Sequence, residues 1–115
     1  MMPDTDTVLL FTHNGLGHGE QALQHKLAGT YLKLLDEHNL LPGAICFYTE
    51  GVYLAVEGSP VIETLQSLER KGVPLILCST CLNYYNIMDK VKVGIVGGMG
   101  DILEAQQRAA KVISL

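Results

Sequence analysis

The feature of this sequence that most constrains its fold is a series of short, continuously apolar segments separated by segments with helical periodicity. A strand with apolar residues on both faces must be buried on both, which is typical of a parallel sheet covered by helices. The sequence therefore predicts an α/β protein, a three-layer α/β/α sandwich with a mainly parallel sheet of about five strands in a single domain, residues 1–115. The predicted strands are 7–12, 44–48, 73–78, 91–96 and 111–115.

Helical segments fill the intervals between these strands. Apolar residues three or four positions apart in 20–38 predict that one face of the first helix packs on the core. Ser59-Pro60 is typical of a helix start and Gly72 of a helix end, which places a second helix at 59–71. Pro42-Gly43 is expected to break the chain, 79–85 to form a short helix, and Asp101 to cap a last helix that extends to 110. The apolar residues of the first helix are Leu23, Leu27, Tyr31, Leu34 and Leu35.

Composition and charge exclude several classes of protein. The chain is 48% hydrophobic and 17% charged, compared with about 25% charged in an average soluble domain, so it is not intrinsically disordered and has apolar surface to spare for a partner. The net charge of −4 and the lack of any Lys/Arg cluster argue against nucleic-acid binding. No apolar run approaches the roughly 20 residues of a membrane span, and the acidic N-terminus does not resemble a signal peptide. We expect a cytoplasmic homo-oligomer that binds neither nucleic acid nor membrane.

The three cysteines carry the strongest chemical signal. They are an odd set with two of them three residues apart, unlike the even framework of a small secreted protein. Cys78 ends the third predicted strand, and Cys81 lies in the first turn of the next helix, where free N–H groups and the helix dipole stabilise a thiolate. Two thiols at this spacing suit disulfide exchange or persulfide handling. The alternative is that both are simply buried, and Cys46, inside a strand, is expected to be a core residue.

The loops that follow parallel strands gather along one edge of the sheet, where ligands normally bind. A zinc site would need His13 and His18 to join the CxxC pair, and no second Cys or His pair stands at ligand spacing, so no metal or cofactor is predicted. The two histidines could instead act as acid–base groups or be solvated loop residues. The glycine loops do not match a dinucleotide fingerprint. Candidate residues that bind substrate or support the thiols are His13, Asn14, His18, Ser79, Thr80, Gly97, Gly98 and Met99.

Several sequence blocks occur together along nearly the whole chain. They are Gly51-Val52-Tyr53-Leu54, Glu57-Gly58-Ser59, Leu65 through Glu69, Gly72-Val73, Cys78-Ser79-Thr80-Cys81-Leu82-Asn83-Tyr84-Tyr85, Asp89-Lys90, Lys92-Val93-Gly94, Met99 and Ala110-Lys111-Val112-Ile113. This set resembles the DsrE/DsrF-like family, and within it the C-terminal domains of YedF-type, sulfurtransferase-like proteins. Ser79 stands where the YedF-type C-G-T-C motif has Gly, and 97–100 reads Gly-Gly-Met-Gly where the family tends to have Ser-Asn-Met-Tyr.

The resemblance implies an oligomeric α/β/α sandwich that acts in intracellular sulfur relay, linked to sulfur or selenium metabolism. It implies a persulfide on a strand-end cysteine, the position of Cys78, with Cys81 as the second thiol that resolves or releases the sulfur. YedF-type chains also carry a TusA-like domain, for which 115 residues leave no room, so a separate TusA-like donor or acceptor protein is expected. Two alternatives stay open: a non-catalytic binding or scaffold subunit of a DsrE-like oligomer, and a thiol–disulfide redox protein.

Overall fold

The connections between successive strands decide which face of the sheet each helix covers. The computed structural model describes residues 4–115, with strands β1 (Asp4–Phe11), β2 (Pro42–Phe47), β3 (Leu75–Cys78), β4 (Ile95–Gly97) and β5 (Lys111–Ser114). All neighbouring strands are parallel, in the order β4-β3-β2-β1-β5. The steps from β1 to β4 proceed in one direction and the step from β4 to β5 returns past them. Because such crossovers are right-handed, the last helix lies on the opposite face from the others.

The helices are α1 (Gln21–Glu37), α2 (Ile62–Arg70), α3 (Ser79–Tyr84) and α4 (Met99–Arg108), with 3-10 helices at Thr49–Ala55 and Met88–Lys90. The larger core cluster lies where α1, α2, α3 and the first 3-10 helix cover one face of the sheet, and α4 covers the other through Ile102. The predicted three-layer α/β/α sandwich with five parallel strands is confirmed. Met1 to Pro3, part of the N-terminus expected to lack a signal peptide, lie outside the described residues.

Strand register assigns alternate side chains to the two layers of the core. Leu9, Ile45 and Leu75 lie in register and belong to the larger cluster, where the rings of Phe11 and Phe47 stack with centroids 5.6 Å apart. Their neighbours Val8, Ala44, Cys46 and Cys78 form the smaller cluster with Ile102 of α4. The two faces are therefore unequal, since one is covered by several helical segments and the other by α4. Among helices within residues 4–115, none is both long enough and apolar enough to cross a membrane.

Some predicted boundaries were wrong, each for a local reason. Pro42-Gly43 begins β2 and does not break the chain before it, because proline is tolerated as the first residue of a strand. The fourth strand is confined to Ile95–Gly97, after a turn in which Gly94 adopts a φ of 88°. Asp101 lies in the first turn of α4, where its Oδ2 accepts the Gly98 N–H at 2.8 Å, so Gly98 is the N-cap.

The core-facing side of α1 also differs from the prediction. Ala28 and Leu32 are the buried residues of this helix, with Tyr31 and Leu35 partly buried beside them. The predicted core residues Leu23, Leu27 and Leu34 are exposed. A helix that is apolar on more than one side gives no unique inner face by periodicity, and the small Ala28 lets the helix approach the core closely.

A buried 3-10 helix, Thr49–Ala55, follows β2 in a part of the chain where the sequence pattern predicts neither a helix nor a strand. Val52, Leu54 and Ala55 are fully buried within Thr49–Ala55. The preceding Gly51 lies so close to β1 that a Cβ atom there would overlap the carbonyl oxygen of Phe11. Glycine at this position therefore lets the chain leaving β2 pass across the end of β1.

We predict that Gly51→Ala lowers the free energy of unfolding by roughly 3 kcal/mol, because the clash is with backbone that cannot rotate away. Gly29→Ala is the matched control: a Cβ at Gly29 has no neighbour within 4 Å, and in a helix this change stabilises by up to about 1 kcal/mol. Urea denaturation followed by circular dichroism measures both. Equal stability of Gly51→Ala and the parent protein would contradict the close approach.

Candidate functional site

Strand order brings the loops after β1, β2, β3 and β4 together at the carboxyl edge of the sheet. The loop after β2 makes the connecting contacts: the Thr49 hydroxyl donates to the Thr12 carbonyl at 2.9 Å, and the Thr49 N–H donates to Cys81 Sγ at 3.1 Å. On the other side of β3, Gly97 pairs with Cys78. The expectation that these loops converge is met because β4, β3, β2 and β1 are adjacent.

The two cysteines of the CxxC pair differ in exposure. Cys78 is the last residue of β3 and the N-cap of α3, and it is 1% exposed. Cys81, one turn along α3, is partly exposed and packs against both core clusters. It packs against the cluster that contains Cys78, which influences its ionisation, and both thiols are free. The site is thus a pair of contacting thiols at the sheet edge, with Cys81 on the outside.

The electrostatics of Cys81 differ from the sequence-based expectation. Burial, followed by the hydrogen bond to Cys78 and the charge of Cys78, raises the pKa of the Cys81 thiol, whereas the Thr49 N–H lowers it. The expected thiolate stabilisation at the start of a helix does not dominate here. The opposing contribution from Thr49 comes from the backbone of a different loop.

Cys46 has the surroundings expected of a core residue. It is 0% exposed in β2, and burial raises the pKa of its thiol to about 11. It lies in the smaller core cluster with Cys78 and Ile102. The three cysteines therefore comprise a partly exposed thiol, a buried thiol in contact with it, and a core thiol.

The predicted supporting residues occupy three different positions around the pair. Ser79 and Thr80 form the first turn of α3, where Ser79 is partly exposed and Thr80 exposed. Gly97 lies beside Cys78 in the sheet, Gly98 caps α4, and Met99 begins α4 with an exposed side chain. Of these residues, Gly97 is the one paired with Cys78, and it lies on the β4 side of the cysteines.

The loop after β1 turns its side chains toward one another and toward α1. The rings of His13 and His18 lie 5.9 Å apart, and Asn14 Oδ1 is 3.2 Å from His25 Nε2. The contact between this region and the cysteine site passes through the Thr12 carbonyl and Thr49. Among residues 4–115, no group of three or more His, Cys, Asp and Glu side chains is arranged to hold a metal ion.

Aromatic residues near the pair were not among the predicted site residues. The Tyr85 ring lies 4.9 Å from Tyr53 and 5.3 Å from Tyr84. Desolvation, followed by the charges of Glu50, Tyr53, Cys81 and Tyr84, raises the pKa of Tyr85. Tyr84 is 82% exposed. The Tyr84-Tyr85 dipeptide after the CxxC pair was the available signal, and the sequence alone favours packing of the short helix over contact with substrate.

A groove on the α4 face of the sheet lies away from the cysteines. It has a volume of about 540 Å³ and is formed between α4 and the amino-terminal part of the sheet. Its lining includes Asp6, Val8, Ala44, Ile76 and Ala105, and neither Cys78 nor Cys81. Cys81 therefore meets solvent at the sheet edge, outside this groove.

We predict that Cys78→Ala lowers the pKa of Cys81 and accelerates its alkylation at neutral pH, because Cys78 contributes a hydrogen bond and a charge that raise that pKa. The measurement is the rate of iodoacetamide labelling of Cys81 against pH, located by mass spectrometry. Cys46→Ala serves as the control, and its profile should match the parent protein. A profile for Cys78→Ala that is unchanged or shifted to higher pH would contradict the coupling of the two thiols.

Comparisons with known proteins agree on the fold. YchN from E. coli superposes with a TM-score of 0.67 at 17% identity, covering 99% of this chain and 100% of YchN. A protein of unknown function from Methanobacterium thermoautotrophicum, MTH1491, gives a TM-score of 0.66 at 18% identity, covering 95% and 97% of the two chains. A conserved protein of unknown function from Bacteroides thetaiotaomicron, BT1422, gives 0.68 at 13% identity, covering 96% and 95%.

Sequence comparison identifies the family. No curated protein matches the chain. The DsrE/DsrF-like family matches residues 7–115, which span β1 to β5 and include the CxxC pair. The chain is a member of the DsrE/DsrF-like family.

Proposed function

We propose that this protein is an intracellular, cytoplasmic sulfur-relay protein that carries sulfane sulfur as a persulfide on the Cys78–Cys81 pair. The observation that carries the proposal is the contact between two free thiols at the carboxyl edge of the sheet, one of them open to solvent. A thiolate can take the outer sulfur of a persulfide and hand it to a second thiolate without a cofactor. The resemblance of residues 78–85 to YedF-type domains supports the same chemistry and favours Cys78, the strand-end cysteine, as the carrier.

A protein donor or acceptor, such as a separate TusA-like protein, fits the surroundings of the pair. Cys81 lies outside the 540 Å³ groove, on the short helix whose end carries the exposed Tyr84 and the partly buried Tyr85. Exposed aromatic side chains commonly anchor protein–protein contacts. A sulfur atom delivered on the surface of another protein can reach a thiol placed in this way.

Self-association is the second part of the proposal, and it also underlies the alternative function of a scaffold subunit. The sheet face covered by α4 leaves Ile95 at one edge strand and Val112 at the other exposed, and Leu103 of α4 is 54% exposed. Apolar side chains left exposed on the face covered by α4 could be buried in an interface between subunits. We propose that a second copy of the chain covers this face.

We predict that the reduced protein incubated with glutathione persulfide gains the mass of one sulfur atom, and that the double variant Cys78→Ala/Cys81→Ala does not. Intact-mass spectrometry measures the gain, and Cys46→Ala is the control that keeps both relay thiols and should gain the sulfur. Absence of the gain in the parent protein would overturn the proposal. A Cys78–Cys81 disulfide formed without sulfur gain would instead support the thiol–disulfide alternative.

We predict that the protein sediments as an oligomer and that Leu103→Glu shifts it toward the monomer, because a charge is costly to bury in an apolar interface. Analytical ultracentrifugation across a range of concentrations measures the mass. Leu27→Glu is the matched control, since Leu27 is an exposed leucine on the opposite face of the sheet. A monomeric parent protein, or dissociation by Leu27→Glu in place of Leu103→Glu, would contradict an interface at α4.

A further inference from the structure

The exposure of the two relay thiols determines which of them a donor can reach. Cys78 is 1% exposed, enclosed by the smaller core cluster, whereas Cys81 is partly exposed at the sheet edge. Attack on a persulfide requires the thiolate to approach the outer sulfur of the donor along the S–S bond. A donor the size of a protein can make that approach to Cys81 in the folded chain, and reaching Cys78 requires local opening of the core.

Thr49 contributes a hydrogen bond to the exposed thiol from an unusual backbone conformation. Its φ is 48°, in the left-handed region, where β-branched residues are rare outliers. This conformation accompanies the N–H bond to Cys81 Sγ at 3.1 Å. A strained residue that supplies a hydrogen bond to a reactive atom is an indication of function.

The contacts of Thr49 explain how the strained conformation is held. Its hydroxyl lies 2.9 Å from the Thr12 carbonyl and 2.7 Å from the Tyr48 carbonyl and can donate to either. The Tyr48 N–H bonds the Phe11 carbonyl at 3.1 Å, and Gly51 lies against that same carbonyl. The loop after β2 is thereby fixed to the end of β1 with the Thr49 N–H directed at Cys81.

We infer that Cys81, and not the buried Cys78, is the thiol that receives sulfur from the donor, and that Thr49 is a positioning residue whose backbone N–H stabilises the negative charge on Cys81 Sγ. This inference rests on the proposed sulfur relay and places the transferred sulfur on Cys81 in place of Cys78, the cysteine that the family resemblance favours. Cys78 lies behind Cys81 and influences how tightly Cys81 holds its proton.

The transfer step balances without any further reactant. The Cys81 thiolate attacks the outer sulfur of a donor persulfide, R–S–SH, and a bond forms between Cys81 Sγ and that sulfur. The S–S bond of the donor breaks, and its electron pair leaves with R–S⁻, which then takes up the proton that Cys81 released. Cys81 becomes the persulfide, and attack by an acceptor thiolate on its outer sulfur regenerates the Cys81 thiolate. The Thr49 N–H bonds the charged form of Cys81 at the start and the end of this cycle.

Sulfur mapping on single-cysteine variants tests which thiol receives the sulfur, with glutathione persulfide as the probe. We expect Cys81→Ala to lose the sulfur gain and Cys78→Ala and Cys46→Ala to keep it. In the parent protein, fragment ions of the tryptic peptide 72–90 separate the two cysteines and should place the added sulfur on Cys81, which keeps the test valid if a variant fails to fold. Sulfur found on Cys78, or gain that survives Cys81→Ala and is lost in Cys78→Ala, would overturn the inference and leave the sulfur relay standing. No gain in the parent protein would overturn the relay itself.

A backbone ester in place of the Tyr48–Thr49 amide tests the role of the Thr49 N–H, because it removes that donor alone. The protein can be assembled from three peptide segments by native chemical ligation at Cys46 and Cys78, which lie on either side of Thr49. The control is the same assembly with an ordinary amide between Tyr48 and Thr49. We expect the ester to slow alkylation of Cys81 at neutral pH about tenfold and to move its pH profile upward, since a hydrogen bond to the charged thiolate is lost.

Thr49→Gly separates the N–H from the hydroxyl. Glycine adopts a φ of 48° without strain and keeps the N–H, so the pH profile of Cys81 should stay at its parent position. If the ester left the pH profile of Cys81 alkylation unchanged, Thr49 would have only a structural role. If the ester and Thr49→Gly slowed alkylation of Cys81 equally, the effect would be due to the position of the loop and not to the N–H. Either result overturns the assignment of the N–H.

Discussion

The close approach of Gly51 to the Phe11 carbonyl is the contact on which the site depends. It allows the chain leaving β2 to cross the end of β1 and then bury Val52, Leu54 and Ala55 as a 3-10 helix in the larger core cluster. The same crossing presents the Thr49 N–H to Cys81 in the next loop. A side chain at position 51 would push the 3-10 helix away from the end of β1, so the packing of the core and the environment of the thiol share one cause.

The unequal covering of the sheet has a second consequence for function. The order β4-β3-β2-β1-β5 places α4 on its own face and places the thiols at the end of β3, between the helix-rich face and the α4 face. Cys81 packs against both clusters, and Cys78 packs within the smaller one. An assembly that covers the α4 face would leave Cys81 near the border of the interface, so self-association and sulfur delivery would occur on neighbouring surfaces.

The sequence predicted those features that leave a pattern in residue type. Continuous apolar runs located β1, β2 and β3, and the strand-end position of Cys78 followed from them. The fourth strand was predicted too early in the chain because two apolar residues before it are buried outside the sheet. Val91 forms an isolated bridge with Val56, and Val93 is buried in a loop. The inner face of α1 was misplaced because leucines occupy more than one side of that helix. The Thr49 contact could not be predicted, since every residue except proline has a backbone N–H and threonine is disfavoured in the left-handed region.

The raised pKa of Cys81 has opposite effects on the two halves of a sulfur transfer. A thiol of high pKa has less thiolate at neutral pH, yet that thiolate is the stronger nucleophile and the poorer leaving group. In the proposed relay, once Cys81 holds the sulfur, its poor leaving ability slows loss of the sulfur to small thiols. Release to an acceptor needs the charge on Cys81 Sγ to be stabilised as the S–S bond breaks, and the Thr49 N–H lies 3.1 Å away to do so. The Thr49 N–H, held in place by the loop after β2, thus offsets part of the rise in the Cys81 pKa that burial and Cys78 cause. A partner that moved this loop on docking would change how strongly Cys81 retains sulfur without touching either cysteine.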